Sequence, residues 1–237
     1  MIPLFFIEKT LSIQQSITLN NVIAKHLKVL RINTNDHLEL FDPTEKRFLC
    51  QVDSVKPNTQ VTVIEQLPCV DQPMANFQLA LALSQPQKIE WIIQKVCEIG
   101  VIDIQLVQTD HGSWPKHQWP KKQQRLQTIL IQACQQSRRT TIPKLAAPIS
   151  LEHWSELSTN KFFLCPHAKV STGWPAKPEF PTSVIIGPES GWSLIEKNLL
   201  IKSATAIHLG ESILRCETAA ISAAVLAKAH WYNWQSL

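Results

Sequence analysis

From Phe77 onward, compact apolar runs alternate with longer stretches whose apolar positions recur every three or four residues. That is the pattern of buried strands alternating with amphipathic helices. QLALAL (78–83) reads as a buried strand, and Ser84 to Gln87 has the spacing of a capping box with Pro86 in the first helical turn. A helix is expected to run to Ile99 with Ile89, Ile92, Ile93, Val96 and Ile99 on its apolar face, and Gly100 stands at its C-cap. VIDIQLVQ (101–108) is the next strand, and a helix at about 120–137 buries Leu126, Ile129, Leu130, Ala133 and Cys134. FFLC (162–165), VIIG (184–187) and AIHLG (206–210) are further buried-strand runs. Ser193 and Glu196 form a capping box that opens a helix to about Ser203, and an alanine-rich helix, apolar on most faces, spans about 217–231. Successive strand–helix units imply a mainly parallel sheet covered by helices.

Residues 1–67 differ. They string together short β-rich runs, LFFIEK, SITL, HLELFD, RFLCQVDSV and QVTVIEQL, separated by turn signals such as DPTEK. One helix interrupts them, capped by Asn20, with Val22, Ile23, Leu27 and Leu30 at helical spacing. This part reads as a small β-barrel at 1–70, PCVDQPMAN (68–76) as a linker, and 74–237 as the α/β domain.

Composition narrows the class. The 237 residues are 44% apolar and 18% charged, as in an ordinary globular protein, and no apolar run reaches the length of a membrane span. MIPLFFIEKT is too short an apolar run for a signal peptide, so a cytoplasmic protein is expected. The six cysteines show no C-x-x-C spacing and read as reduced thiols; the histidines form no ligand pattern, and no metal is expected.

The net charge of +4 is unevenly placed. Residues 1–70 hold seven basic and seven acidic side chains, whereas His111 to Leu151 holds Lys116, Lys121, Lys122, Arg125, Arg138, Arg139 and Lys144 and no acid. With Trp114 and Trp119 beside it, this stretch fits a nucleic-acid surface or a solvated helix face, and charge alone leaves both open.

Three of the six glycines, Gly187, Gly191 and Gly210, fall in VIIGPESGW (184–192) and HLGESILRCETAA (208–220). Each loop follows an apolar run and precedes a helix, the crevice position where open α/β sheets place ligands. Neither loop matches a P-loop or a G-x-G-x-x-G fingerprint. The residues alone therefore establish a ligand site built on backbone near 187–191 and 209–215.

The chain does resemble a family. IIGPESGWSLIE (185–196) is similar to an IGPEGG-(F/L)-S-x-x-E segment, and LGESILRCETAA (209–220) to LG-x-R-(I/V)-LR-x-ET-A, of the SPOUT-class methyltransferases that modify N3 of a uridine in 16S ribosomal RNA. KIEWIIQKVCEIGV (88–101), ACQQSRRTTIP (133–143) and HLKVLRINTNDHLELFD (26–42) resemble further segments of that family in the same order. Ser190 replaces the second glycine of GPEGG, Ser212 the arginine of LG-x-R, Gln85 a usual basic residue and Arg138 a common glycine.

The resemblance implies a PUA-like barrel that helps hold RNA, followed by a SPOUT-type α/β domain tied in a trefoil knot. It implies S-adenosylmethionine as methyl donor, 16S rRNA in the small ribosomal subunit as partner, and a homodimer with sites near the subunit interface. The cofactor is expected at Leu164, Ile186, Gly187, Pro188, Glu189, Gly191, Leu209, Gly210, Ile213 and Leu214. Arg215 is the candidate to stabilise negative charge on a uracil oxygen, and Glu217 to orient it or act as base, although both also suit a structural pair at a helix start. Arg31, Lys88, Lys121, Lys122, Arg138 and Arg139 are the candidate RNA contacts. A non-catalytic RNA-binding or ribosome-assembly factor on the same scaffold is the alternative.

Overall fold

The computed structural model describes residues 2–69, 72–112, 118–166, 174–176, 178 and 181–232. Trp114, Lys116 and His117 of the basic stretch lie outside the described residues. The chain divides into two compact units, Met1–Asp71 with Cys134–Ile142, and Gln72–Ala133 with Pro143–Leu237.

The first unit is a five-stranded sheet. Its strands are β1 (Leu4–Phe6), β2 (Ser16–Thr18), β3 (His37–Phe41), β4 (Arg47–Ser54) and β5 (Gln60–Leu67), in the order β1-β3-β4-β5-β2. Helix α1 (Asn21–Val29) starts where the Asn20 carboxamide accepts the N–H groups of Val22 and Ile23. Its buried face is narrower than the sequence spacing suggests. Ile23 and Leu27 enter the core with Leu38, Leu40 and Val61, whereas Val22 is 77% and Leu30 45% exposed. The shift arises because a nine-residue helix turns only one narrow stripe toward one sheet face.

The second unit is a six-stranded, fully parallel sheet with helices, which is an α/β architecture. Its elements run β6 (Phe77–Ala82), α2 (Pro86–Ile99), β7 (Asp103–Gln108), α3 (Trp119–Ser137), β8 (Lys144–Ser150), α4 (Leu151–Glu156), β9 (Asn160–Leu164), β10 (Thr182–Ile186), α5 (Leu194–Ser203), β11 (Thr205–Ile207) and α6 (Cys216–Trp231). Strand order is β11-β9-β10-β6-β7-β8, so the chain builds to one side of β6, crosses over, and inserts β10 between β9 and β6. A buried polar chain crosses the middle of the sheet. Trp154 Nε1 donates to Ser183 Oγ at 2.9 Å, Ser183 Oγ donates to Gln78 Oε1 at 2.9 Å, and Gln78 Nε2 donates to Asp103.

Three local results differ from the sequence reading or add to it. The N-cap of α2 is Gln85 with no side-chain cap, not a Ser84 capping box; Ser84 stays buried beyond the end of β6 at 2% exposure. The expected linker contains Met74, which is fully buried and donates its N–H to Gly100 O. β8 and α4 have no counterpart in the sequence reading. KLAAPIS is a half-exposed edge strand, interrupted by Pro148 and with a register shift against β7, so it lacks the uninterrupted β-branched run of a buried strand. Among the described residues no helix is long and apolar enough to cross a membrane.

Helix α6 packs on α2 and the sheet through Ala219, Ala220, Ala223, Ala224 and Ala227, all buried. Small side chains permit close backbone approach, and Lys228 Nζ reaches the Ile99 carbonyl at the end of α2, 2.6 Å away.

Candidate functional site

The carboxyl ends of β9, β10 and β11 lie side by side, and beyond them opens a cavity of about 450 Å³. This is within the size range of small-molecule sites and at the strand-end position where α/β sheets bind ligands. Leu164 at the end of β9 and Cys165 just beyond it, Ile186 at the end of β10 and Gly187 just beyond it, and Ile207 at the end of β11 line it. The starts of α2 (Lys88) and α6 (Arg215, Cys216) complete the wall. Two helix N-termini thus face one cavity, and their exposed N–H groups and partial positive charge favour electron-rich ligand atoms.

The lip at 187–193 is held from several sides. Gly187 lies against the Trp192 indole so closely that a Cβ there would fall 2.9 Å from Trp192 Cε2. A side chain at 187 would have to displace a buried ring that belongs to the core of the unit. The turn 188–191 closes by Gly191 N–H donating to Pro188 O, and Gly191 has φ of +73°. Ser190 is not in the left-handed region, so this departure from the family glycine needs no special backbone conformation. The capping box read from the sequence is present. Glu196 N–H donates to Ser193 Oγ and Ser193 N–H to Glu196 Oε2. The other carboxylate oxygen of Glu196 accepts the Asp110 N–H at 2.8 Å, and His111 Nδ1 lies 3.1 Å from the Gly191 carbonyl. A carbonyl only accepts, so His111 carries its proton on Nδ1 in this contact.

The lip at 208–215 is held far less. Gly210 has φ of +93°, with nothing within 4 Å of a Cβ placed there. Glu211 and Ser212 are exposed, and Ile213 is 73% exposed. The contacts of His208 Nδ1 with the backbone of Gly210 are local. The lip ends at Arg215, the N-cap of α6, whose side chain caps nothing, is exposed, and joins no ion pair among the described residues.

A charged network joins the two lips. Lys88 Nζ lies 2.6 Å from Glu189 Oε1, with both side chains about a third exposed. A cation in the first turn of α2 opposes the helix dipole, and Glu189 supplies the compensating charge. That hydrogen bond raises the Lys88 ammonium above its usual range, aided by the charges of Glu189 and Glu217. Partial burial works against ionisation of Glu189, yet Lys88 and a backbone N–H outweigh it and hold the carboxyl low. Glu217 is held low first by its own backbone N–H at the start of α6, then by the Cys216 thiol and the charges of Lys88 and Arg215. Cys216 Sγ donates to Glu217 Oε2 at 3.2 Å, and burial, then that hydrogen bond, pushes the thiol up to about 12. Cys216 is therefore a protonated donor rather than a nucleophile.

All ten residues expected at the cofactor line this cavity: Leu164, Ile186, Gly187, Pro188, Glu189, Gly191, Leu209, Gly210, Ile213 and Leu214. Arg215 lines it too, and Glu217 joins it through Cys216. Of the candidate RNA contacts, Lys88 also lines the cavity. Lys121 and Arg31 are exposed and Lys122 is half-buried. Arg138 instead donates to both Glu39 oxygens at 2.6 Å and to Ile2 O within the first unit, and it has φ of +61°, the conformation that favours glycine at that position. Arg139 is buried at 6% exposure. The sequence reading missed Trp192, Cys165, His208 and Cys216 as cavity residues. Trp192 was legible as the bulky neighbour of a required glycine; the others carry no local signal.

Comparison with known proteins gives the chain a family. A model described as RNA methyltransferase domain matches residues 71–228. A ribosomal RNA small subunit methyltransferase E from Buchnera aphidicola is 31% identical over 94% of this chain and 91% of that protein. Its namesake from Mesomycoplasma hyopneumoniae is 31% identical over 86% and 89%. Among solved structures, a ribosomal RNA small subunit methyltransferase E from Neisseria gonorrhoeae bound to S-adenosyl methionine aligns with a TM-score of 0.89 at 26% identity, covering 98% of both chains. A putative methyltransferase from Legionella pneumophila in complex with the bound cofactor SAM gives 0.86 at 29% identity, covering 97% of this chain and 98% of that one.

Proposed function

The chain belongs to the RNA methyltransferase family, within the group of ribosomal RNA small subunit methyltransferase E, and on that premise we propose that it methylates N3 of a uridine in 16S rRNA, using S-adenosylmethionine. The observation that carries this reading is the convergence of the two glycine loops and the starts of α2 and α6 on one cavity. The cavity fits the cofactor. Its volume, its apolar wall of Leu164, Ile186 and Ile207, and its exposed loop backbone suit an adenosine, and Gly187 leaves room that Trp192 already limits. When bound, S-adenosylmethionine supplies an electrophilic methyl group.

The protein's own work is on the uridine. N3 carries a proton and attacks poorly until it leaves, so the site must stabilise the resulting anion and orient the base. Arg215, exposed and outside any ion pair among the described residues, stabilises charge on a uracil oxygen. Glu217 is held ionised, which makes it a weak base; its carboxylate accepts the N3–H hydrogen bond and passes the proton to water rather than keeping it.

The same reading extends to the rest of the molecule. The first unit is a PUA-like RNA-holding barrel (1–70), the α/β domain (74–237) is knotted through its 208–215 segment, and Arg31, Lys121 and Lys122 contact RNA phosphates in the cytoplasm. A second groove of about 600 Å³ lies along α6 at Ile221, Val225 and Leu226. It shares His208, Leu209, Gly210 and Leu214 with the first cavity, and it seats the second copy of a homodimer. Calorimetry with S-adenosylmethionine, followed by nucleoside mass spectrometry of unmodified small subunits incubated with the protein, tests the proposal. A cofactor-dependent N3-methyluridine is expected. RNA binding with neither cofactor binding nor methyl transfer returns the chain to an assembly factor.

A further inference from the structure

Glu196 is a helix-capping residue by sequence, yet its two oxygens do different things. Oε2 accepts the Ser193 N–H within the capping box, whereas Oε1 accepts the Asp110 N–H, 86 residues away in sequence. Both bonds are 2.8 Å and the carboxylate is 5% exposed. A buried carboxylate needs such donors, and charge-assisted bonds to backbone N–H groups are among the strong ones. A cap needs only the first oxygen. The second ties the segment after β7 to the lip that carries Pro188, Glu189 and Gly191, and His111 adds a parallel tie to Gly191 O.

We propose that Glu196 is a positioning residue of the cofactor site: by bridging the Asp110 and Ser193 backbones it holds the 187–193 lip in its binding geometry before the ligand arrives. The inference rests on the cofactor reading above. A lip already ordered binds without the cost of ordering it, so loss of the bridge lowers affinity rather than chemistry.

The test uses the full chain and S-adenosylmethionine. Wild type binding in calorimetry establishes the cofactor reading separately; if wild type does not bind, that reading fails and not this one alone. Glu196→Gln retains one acceptor oxygen and is expected to weaken binding about tenfold, the scale of a hydrogen bond to a charged group, with saturating-cofactor turnover and RNA affinity unchanged. Ser193→Ala removes the helix cap but leaves the carboxylate bridge, and is expected to lower thermal stability with cofactor affinity unchanged. Equal losses of affinity in the two variants, or none in Glu196→Gln, overturn the proposal. Amide hydrogen exchange on wild type gives a reading independent of any variant's folding. The Asp110 N–H is expected to be protected together with that of Ser193, and free exchange at Asp110 overturns the bridge.

Discussion

The two lips of the cavity descend from the same sequence signal, a glycine after a buried strand, and end in opposite mechanical states. The 187–193 lip is pinned by the Trp192 ring, the closed turn at Gly191 and the Glu196 bridge. The 208–215 lip has local contacts and exposed Glu211, Ser212 and Ile213. Under the proposed function the difference divides labour: the rigid lip is the one expected to shape the cofactor cavity, and the loosely held lip the one expected to bring Arg215 to a bulky RNA substrate.

The contrast is broken most severely by filling Gly187. Gly187→Val drives a branched side chain into the Trp192 indole and is expected to cost about 2–3 kcal/mol of stability, as overpacked cores do. Cofactor binding should be abolished in calorimetry, and a variant that binds normally would show that Trp192 yields and the lip is not rigid.

Next in size is a change on the compliant side. Arg215→Ala should lower kcat about 100-fold, the scale of losing one group that stabilises developing charge. Cofactor affinity should be retained; an equal loss in binding would place Arg215 among the cofactor's own supports.

A matched pair sharpens the comparison. Gly191 and Gly210 both have positive φ, and at neither would an added Cβ meet an atom within 4 Å, so alanine meets the same intrinsic strain in each. Gly191→Ala should lose about 1 kcal/mol in a thermal melt. Gly210→Ala should lose clearly less, because a loosely held loop relaxes its φ; equal losses would make the two lips equally stiff.

The smallest effect is electrostatic. The folded-state value of Glu189 lies below its usual 4.5, so its contribution is complete above that pH and lost as pH falls through the lowered value. Lys88 is raised above 10.5, so its contribution is complete below that pH and lost as pH rises through the raised value. Thermal stability should therefore fall modestly on the acid side as Glu189 is protonated, read in thermal melts against pH, and Lys88→Met should flatten that fall. The pair is a third exposed and solvent screens it.

How much of this was legible follows from the range of each interaction. Local signals carried the fold. Asn20, Pro86, Gly100 and the Ser193–Glu196 box mark helix ends and VIIG marks a buried strand, because caps and burial act within a few residues, whereas AIHLG, expected to be buried, is an edge strand in which Ile207 alone is buried. KLAAPIS failed as a signal because alanines and a proline are poor strand formers that an edge position tolerates, and Val22 misled because spacing cannot say which stripe a short helix buries. At the site the glycines were visible. The partners that make them necessary were not, since Asp110 meets Glu196, and Lys88 meets Glu189, only once distant strands are neighbours.

The late insertion of β10 bears on how the molecule acquires its competence. Gln78 and Ser183 hydrogen-bond across adjacent strands although 105 residues separate them, and β10 pairs with β9 and β6 at once. Contacts of such separation carry a large loop-closure cost and slow the folding of the sheet that contains them. The cavity takes walls from β10, β11 and α6, so a partly folded chain has no binding pocket to offer. Competence therefore depends on the completed sheet, because no contiguous stretch of the chain holds the cavity's walls by itself.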